Sequence, residues 1–313
     1  MFGLVEKSIG IYHFLTDRAP KHIPLVDPKP RTVNPWCQNG QVIVAKVKVD
    51  GDIGSCIQKT VGLLGDTSQA IQRGDNVLVK PNFNSPDPYP ASTDLDFLRA
   101  IIEFLVQAGA KVTVGESSGG IWRPTRNVFR KLGLFELARQ LDVKLVAFED
   151  KPDDWVRIKV DGDYLKMVTM PRSAYEADKI VYIPCMKTHK LARFSGALKL
   201  AMGLIHPGER RAVHASHLEQ KAAEINLCWQ PDLIVMDGRK AFVSGGPDKG
   251  QLAEPGMILA SGDMVAIDVE AIKILLNYKA VNKLTPDPWQ LPQIITALKH
   301  GLGAGAGSYI VVG

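Results

Sequence analysis

The stretch 184–217, PCMKTHKLARFSGALKLAMGLIHPGERRAVHASH, holds four of the chain's seven histidines: His189, His206, His214 and His217. Imidazole changes charge nearest to neutral pH and is the commonest side-chain ligand for divalent metals, so such a cluster suits proton transfer or metal binding. Two lysines stand among the histidines. A lysine can neutralise a carboxylate or phosphate, or act as a base once desolvated. We nominate His189, Lys199 and Lys187 as catalytic groups and His214 as a metal ligand. His206 and His217 remain open between a role in the site and ordinary helix-end or solvated positions. Ser195 and Gly196 open a predicted helix near 196–204, whose first N–H groups can hold an anion.

Three further segments supply candidates. Lys80 and Asn82 follow the buried run NVLVK, where a carboxylate or phosphate can be held, and Pro81 stiffens that turn. Ser117 lies in GESSGG (115–120), a run of small residues with the backbone donors of an anion nest. The glycine spacing there matches neither a dinucleotide fingerprint nor a P-loop. Glu116 suits either a ligand or base, or a capping or surface role. Asp237 ends the strand DLIVMD and is the carboxylate nominated for a metal. Asp263 reads as a helix N-cap, and Asp268, in the first turn, suits the helix dipole. Met167, Met170, Met186 and Met202 read as core fillers.

These residues need a frame to position them. QVIVAKVKV (41–49) alternates apolar and polar residues as a half-buried strand does. NVLVK (76–80), KVTVGES (111–117), KLVAF (144–148), KIVYIP (179–184), DLIVMD (232–237), MILAS (257–261) and SYIVV (308–312) read as strands between helical stretches. The helices fall near 53–64, 95–108, 124–141, 196–204, 217–228, 266–276 and 291–302. Strand–helix–strand order implies right-handed crossovers, and ligands of such sheets gather at the C-terminal strand ends. Lys187 and His189 then lie just beyond one strand end, and Lys80 at another. WVRIKV and YLKMVTM flank Asp161-Gly162-Asp163 as a hairpin. The fold class expected is α/β, a mostly parallel sheet flanked by helices, with a small inserted hairpin subdomain near 150–175. Residues 1–40 contain Pro20, Pro24, Pro28, Pro30 and Pro35 and read as a Pro-rich extended arm, ahead of an α/β domain over 41–313. A division of that domain into two lobes near 150–180 stays open.

Composition narrows the function classes. The 313 residues are 45% hydrophobic, enough for a sizeable core, and the net charge of +5 is mild. No Lys/Arg block with interleaved aromatics appears, so nucleic acid is not expected as a partner. No apolar run approaches the ~20 residues needed to span a bilayer, and the N-terminus lacks a signal-peptide pattern, so no membrane partner is expected. Cys37, Cys56, Cys185 and Cys228 lie far apart with no CxxC pair. Neither a disulfide framework nor an iron–sulfur cluster is expected, and a reducing cytoplasm is. The partner implied is a small anionic molecule. The Pro-rich arm leaves a homodimer open.

The order KPN (80–82), GESSGG (115–120), PCMKTH (184–189), SGALKLAMG (195–203), His214, GGPDKG (245–250), Asp263 and Asp268 resembles the domain-of-unknown-function family 362, of the iron–sulfur-centre-associated type, over roughly residues 41–280. Many members carry a ferredoxin module with CxxCxxC clusters. This chain has no such module, so the cluster is not carried over. HKLARFSGALK (189–199) is more remotely similar to the nickel-pincer lactate racemase family, and His214 follows Lys199 by fifteen residues. That resemblance implies that Lys199 anchors a cofactor or substrate, His214 is a metal ligand and His189 an acid or base. The chain departs from it in having Gly196-Ala197-Leu198 where that family has Gly-Gly-Arg. The function expected is enzymatic: metal- or cofactor-assisted proton or hydride chemistry, isomerase-like, on a small organic anion, with a divalent metal admitted. The alternatives are a redox or ring-modifying biosynthetic enzyme and a non-catalytic anion- or metal-binding protein.

Overall fold

The computed structural model describes residues 3–313. Its main sheet runs, edge to edge, through Tyr309–Val312, Gln41–Lys48, Met257–Ser261, Leu233–Gly245, Lys179–Tyr182, Asn76–Lys80, Lys111–Glu116 and Lys144–Ala147. Met257–Ser261 pairs antiparallel with both its neighbours, and the other five pairings are parallel. The result is the expected mostly parallel α/β sheet. Alternate residues of one strand point to opposite faces, and both faces are covered. Leu78, Ile180, Tyr182, Ile234 and Met236 enter one core. Val77, Val79, Val181, Ile183 and Val235 enter the other.

The helix Leu95–Gln107 shows how the sequence secures a covering element. Asp94 caps it by accepting from the Phe97 amide at 3.0 Å. Phe97, Leu98, Ile101, Ile102 and Leu105 form its buried stripe. Gly109, at φ +87°, ends the turn where a side chain would be strained. Truncating Phe97 to alanine would cost roughly 3–5 kcal/mol.

The inserted hairpin is present as Trp155–Lys159 against Met167–Pro171. Leu25–Val26 joins Trp155–Lys159 in parallel, giving a separate three-stranded sheet. The first forty residues differ from a wholly extended arm. Leu4–Thr16 is a helix, and all five prolines follow it, where extended chain leads to the fully buried Trp36. The Trp36 indole donates to the Asp232 carbonyl at 2.8 Å.

Three local expectations are corrected. The strand expected over 232–237 continues to Gly245, because Ala241, Phe242 and Val243 are buried and pair with the antiparallel strand Gly250–Ala253. The KTH segment, expected beyond a strand end, is itself the strand Cys185–His189. It pairs parallel with Leu233–Gly245 and antiparallel with Arg193–Ser195. Residues 207–215, left unassigned by the pattern, form a helix opened by Pro207. Among the described residues no helix is long and apolar enough to cross a membrane.

Candidate functional site

Five segments converge on one cavity of about 510 Å³. Lys187 and His189 are two residues apart on the strand Cys185–His189, so they share a face. Pro207, Arg210, Arg211 and His214, at the i, i+3, i+4 and i+7 positions of their helix, present one face to the same cavity. Lys199 comes from the short helix Ala197–Leu200. Lys80, Asn82, Glu116 and Ser117 come from the C-terminal ends of two neighbouring parallel strands and the loops after them.

Of the ten nominated residues, the cavity brings together Lys80, Asn82, Ser117, Lys187, His189, Ser195, Lys199 and His214. Gly196 and Asp237 are not in its lining. The N–H groups expected to be free at the 196–204 helix start are taken by Asp268, whose carboxylate accepts from Ala197 at 2.6 Å and Leu198 at 3.0 Å. Gly196 sits against that carboxylate. An added Cβ would lie 2.2 Å from Asp268 Oδ1, so glycine permits the approach. Asp237 is fully buried and committed to Arg239, which donates to it at 3.0 and 2.7 Å, and to the Tyr89 hydroxyl at 2.7 Å. It is therefore not available beside His214 as a metal ligand.

His206 and His217 resolve as structural. His206 caps its helix by accepting from the Gly208 amide at 3.0 Å and lies against Trp155. His217, at φ +52°, precedes the next helix and stacks on Tyr164. Asp263 is the expected N-cap, accepting from Val265 and Ala266.

The two histidines left in the cavity are held in opposite tautomers. His189 Nδ1 accepts from the Leu191 and Ala192 amides at 3.1 and 3.0 Å. The neutral ring therefore carries its proton on Nε2 and offers a donor there. Burial, then the Lys199 and Lys187 charges, push its pKa well below the usual histidine range, so it stays neutral. His214 Nδ1 lies 2.7 Å from the Arg210 carbonyl oxygen, which can only accept. Its Nδ1 holds the proton, and the lone pair is left on Nε2. Burial also lowers the His214 pKa, against the raising effect of that hydrogen bond.

Positive charge dominates the walls. Lys80 and Glu116 form a buried pair at 2.7 Å, and Glu116 also accepts from the Phe83 and Ser117 amides at 2.8 Å. Lys187 Nζ donates to the Ala91 carbonyl at 2.5 Å, and among the described residues it has no carboxylate partner. Arg210, which the sequence reading did not nominate, donates to the Ser117, Ser118 and Ile205 carbonyls. Burial brings its pKa down to about 10. Among the described residues Lys199 Nζ has no hydrogen bond or ion pair, and burial, then Lys187, bring it to about 8. Asp248 is the other carboxylate in the lining. Ser117 Oγ is buried without a partner. Seven lysines and arginines in the lining face two carboxylates, one of them already paired, and this suits an anionic ligand.

The donor set does not fit a divalent metal held by side chains alone. Within the cavity His214 Nε2 is the one free imidazole lone pair, and the Lys199 and Arg210 charges act on it. The one group of three metal-type ligands among the described residues, Asp163, Glu224 and His300, is not part of the cavity lining.

The family described as Domain of unknown function (DUF362) matches residues 77–273. A thylakoid-associated protein of Synechocystis sp. is 25% identical over 288 residues, covering 80% of this chain and 87% of the relative. The lactate racemase apoprotein of Thermoanaerobacterium thermosaccharolyticum is 13% identical, over 84% of this chain and 63% of that one, with a TM-score of 0.39. A Thermotoga maritima protein is 14% identical, over 73% of this chain and 59% of that one, also with a TM-score of 0.39. The chain thus spans under two thirds of either structure, and at these scores neither likeness bears on function.

Proposed function

This chain belongs to the DUF362 family, and from that premise we propose that the cavity is the active site of an enzyme that moves a proton on a small organic anion. The observation that carries the reading is the opposed tautomers of His189 and His214 in one cation-lined cavity. Lys199, Lys187 and Arg210 hold the carboxylate or phosphate of the substrate. His214 Nε2 takes a proton from a carbon next to a carboxylate or carbonyl group. The electron pair left behind moves onto the oxygen of that group, and the His189 Nε2–H donates a hydrogen bond to it without itself ionising. Return of the proton from His214 to the same or the adjacent carbon completes an exchange or an isomerisation. Ser117 Oγ, buried without a partner, is a further polar group that a bound substrate can satisfy.

Exchange of carbon-bound hydrogen for deuterium in heavy water tests this, followed by proton NMR on a set of small 2-hydroxy and 2-keto carboxylates. Exchange that is lost in His214→Gln and strongly slowed in His189→Gln supports it. Binding of these anions without exchange on any of them would favour a carrier, a reading that the unpaired Lys187 and Lys199 also support.

A further inference from the structure

The helix Leu4–Thr16 is packed by the side that helices usually turn to water. Gly10 is its buried residue, and Glu6, Lys7 and His13 flank that face. Gly10 lies so close to Ile121 that an added Cβ would stand 1.8 Å from the Ile121 carbonyl oxygen. Asp17, just past the helix end, pairs with Arg123. The opposite face carries Leu4, Val5, Ile11, Tyr12 and Leu15, which are 87%, 73%, 48%, 64% and 53% exposed. At 100° per residue these five fall on one contiguous side. A helix stripe of this kind is normally the part that folding removes from water, so its outward placement calls for an external partner.

We infer that this face docks on an anionic lipid bilayer. Charge and size select that occupant. The exposed Arg18 and Lys21 follow the helix directly, and the exposed Lys190 and Arg211 line the adjacent cavity mouth. The two acids of the segment are engaged, Glu6 with the Gly3 amide and Asp17 with Arg123. Apolar side chains with a basic surround are the pattern of helices that lie in the headgroup region. A helix of 13 residues is about 20 Å long and about 10 Å wide, so its footprint is on the order of 200 Å². Each partner in a stable dimer buries roughly 800 Å², which this strip alone does not supply. Phe14, on the side of the helix next to Gly10, lines the cavity, so the docked helix would lie between the cavity and the lipid.

Co-sedimentation of the full chain with vesicles tests this. One set is equal parts phosphatidylcholine and phosphatidylglycerol, and the other is phosphatidylcholine alone. The chain should sediment with the anionic vesicles, release at high salt, and lose roughly tenfold or more in apparent affinity in the Ile11→Asp and Leu15→Asp variants. Both substituted residues are exposed, and near-ultraviolet circular dichroism checks that each variant folds. In Tyr12→Trp, tryptophan emission should shift to the blue on adding anionic vesicles. Failure of the wild-type chain to sediment, or unchanged binding in both variants, overturns the proposal. So does a dimer in light scattering that the same variants dissolve, since a second copy would then be the occupant.

Discussion

Lys80 Nζ and Glu116 Oε2 stand 2.7 Å apart at the ends of adjacent parallel strands, with 1% and 2% of their side chains exposed. Burial lowers the Lys80 pKa, and the Glu116 charge opposes that shift. Removing one partner leaves the other charge buried and unmatched, which costs roughly 3–5 kcal/mol. Glu116→Ala should therefore lower stability by about that much in urea unfolding, and also free the Phe83 and Ser117 amides. A loss below about 1 kcal/mol would mean that the pair is not buried as described.

Lys199 gives the site a pH limit. Its pKa, brought down to about 8, leaves the ammonium present below pH 8 and lost above it. Affinity for a small carboxylate, measured by titration calorimetry, should be level below that point and fall about tenfold per pH unit above it. Lys199→Arg should remove the fall, because guanidinium keeps its proton through this range. A flat wild-type profile would show that Lys199 does not hold the anion.

Asp268 should give stability its own pH dependence. Burial raises its pKa to about 7, against the lowering effect of the Ala197 and Leu198 amides. The folded form then binds a proton that the unfolded chain has released. The stabilising contribution is full below about pH 4 and is lost as pH rises through about 7. The slope between those limits should reach at most about 1.4 kcal/mol per pH unit and flatten in Asp268→Asn. Asp268→Ala should cost about 1–3 kcal/mol for each of the two amides left unmet.

Gly10 should accept no side chain. A Cβ there meets the Ile121 backbone, which cannot swing away as a flexible side chain would. Gly10→Val should lift the helix Leu4–Thr16 from the cavity mouth. Limited proteolysis reads this as faster cleavage after Arg18 and Lys21, with the fragments that begin at Ala19 and His22 otherwise staying intact.

The parallel sheet was legible because strands such as Asn76–Lys80 carry short apolar, valine-rich runs between helical periods. The cavity was legible in outline because Lys80, Lys187 and His189 sit near strand ends, where such sheets bind ligands. What the sequence concealed came from distant or competing contacts. The amides after Gly196 are filled by Asp268, some seventy residues away, and no local pattern announces that. Asp237 looked available, yet Arg239 stands two residues on along the same strand and takes it. That spacing was a readable signal. The helix over 207–215 was missed, although Pro207 at its start and the 207/210/211/214 spacing mark it, and Arg210 was missed with it. Five prolines between 20 and 35 coloured the reading of the whole first forty residues, which hid the Pro-free helix Leu4–Thr16. A search for apolar runs long enough to span a bilayer cannot find a helix that is apolar on one side only.

The central claim is that His189 and His214 face one cavity as fixed donor and fixed acceptor. Long-range nitrogen–carbon-bound-proton correlation NMR on histidine-labelled protein measures this directly, with His189→Gln and His214→Gln for assignment. The account predicts a neutral His189 protonated on Nε2 and a neutral His214 protonated on Nδ1, both unchanged between pH 6.5 and 8. Finding His214 protonated on Nε2, or either ring charged across that range, would contradict it.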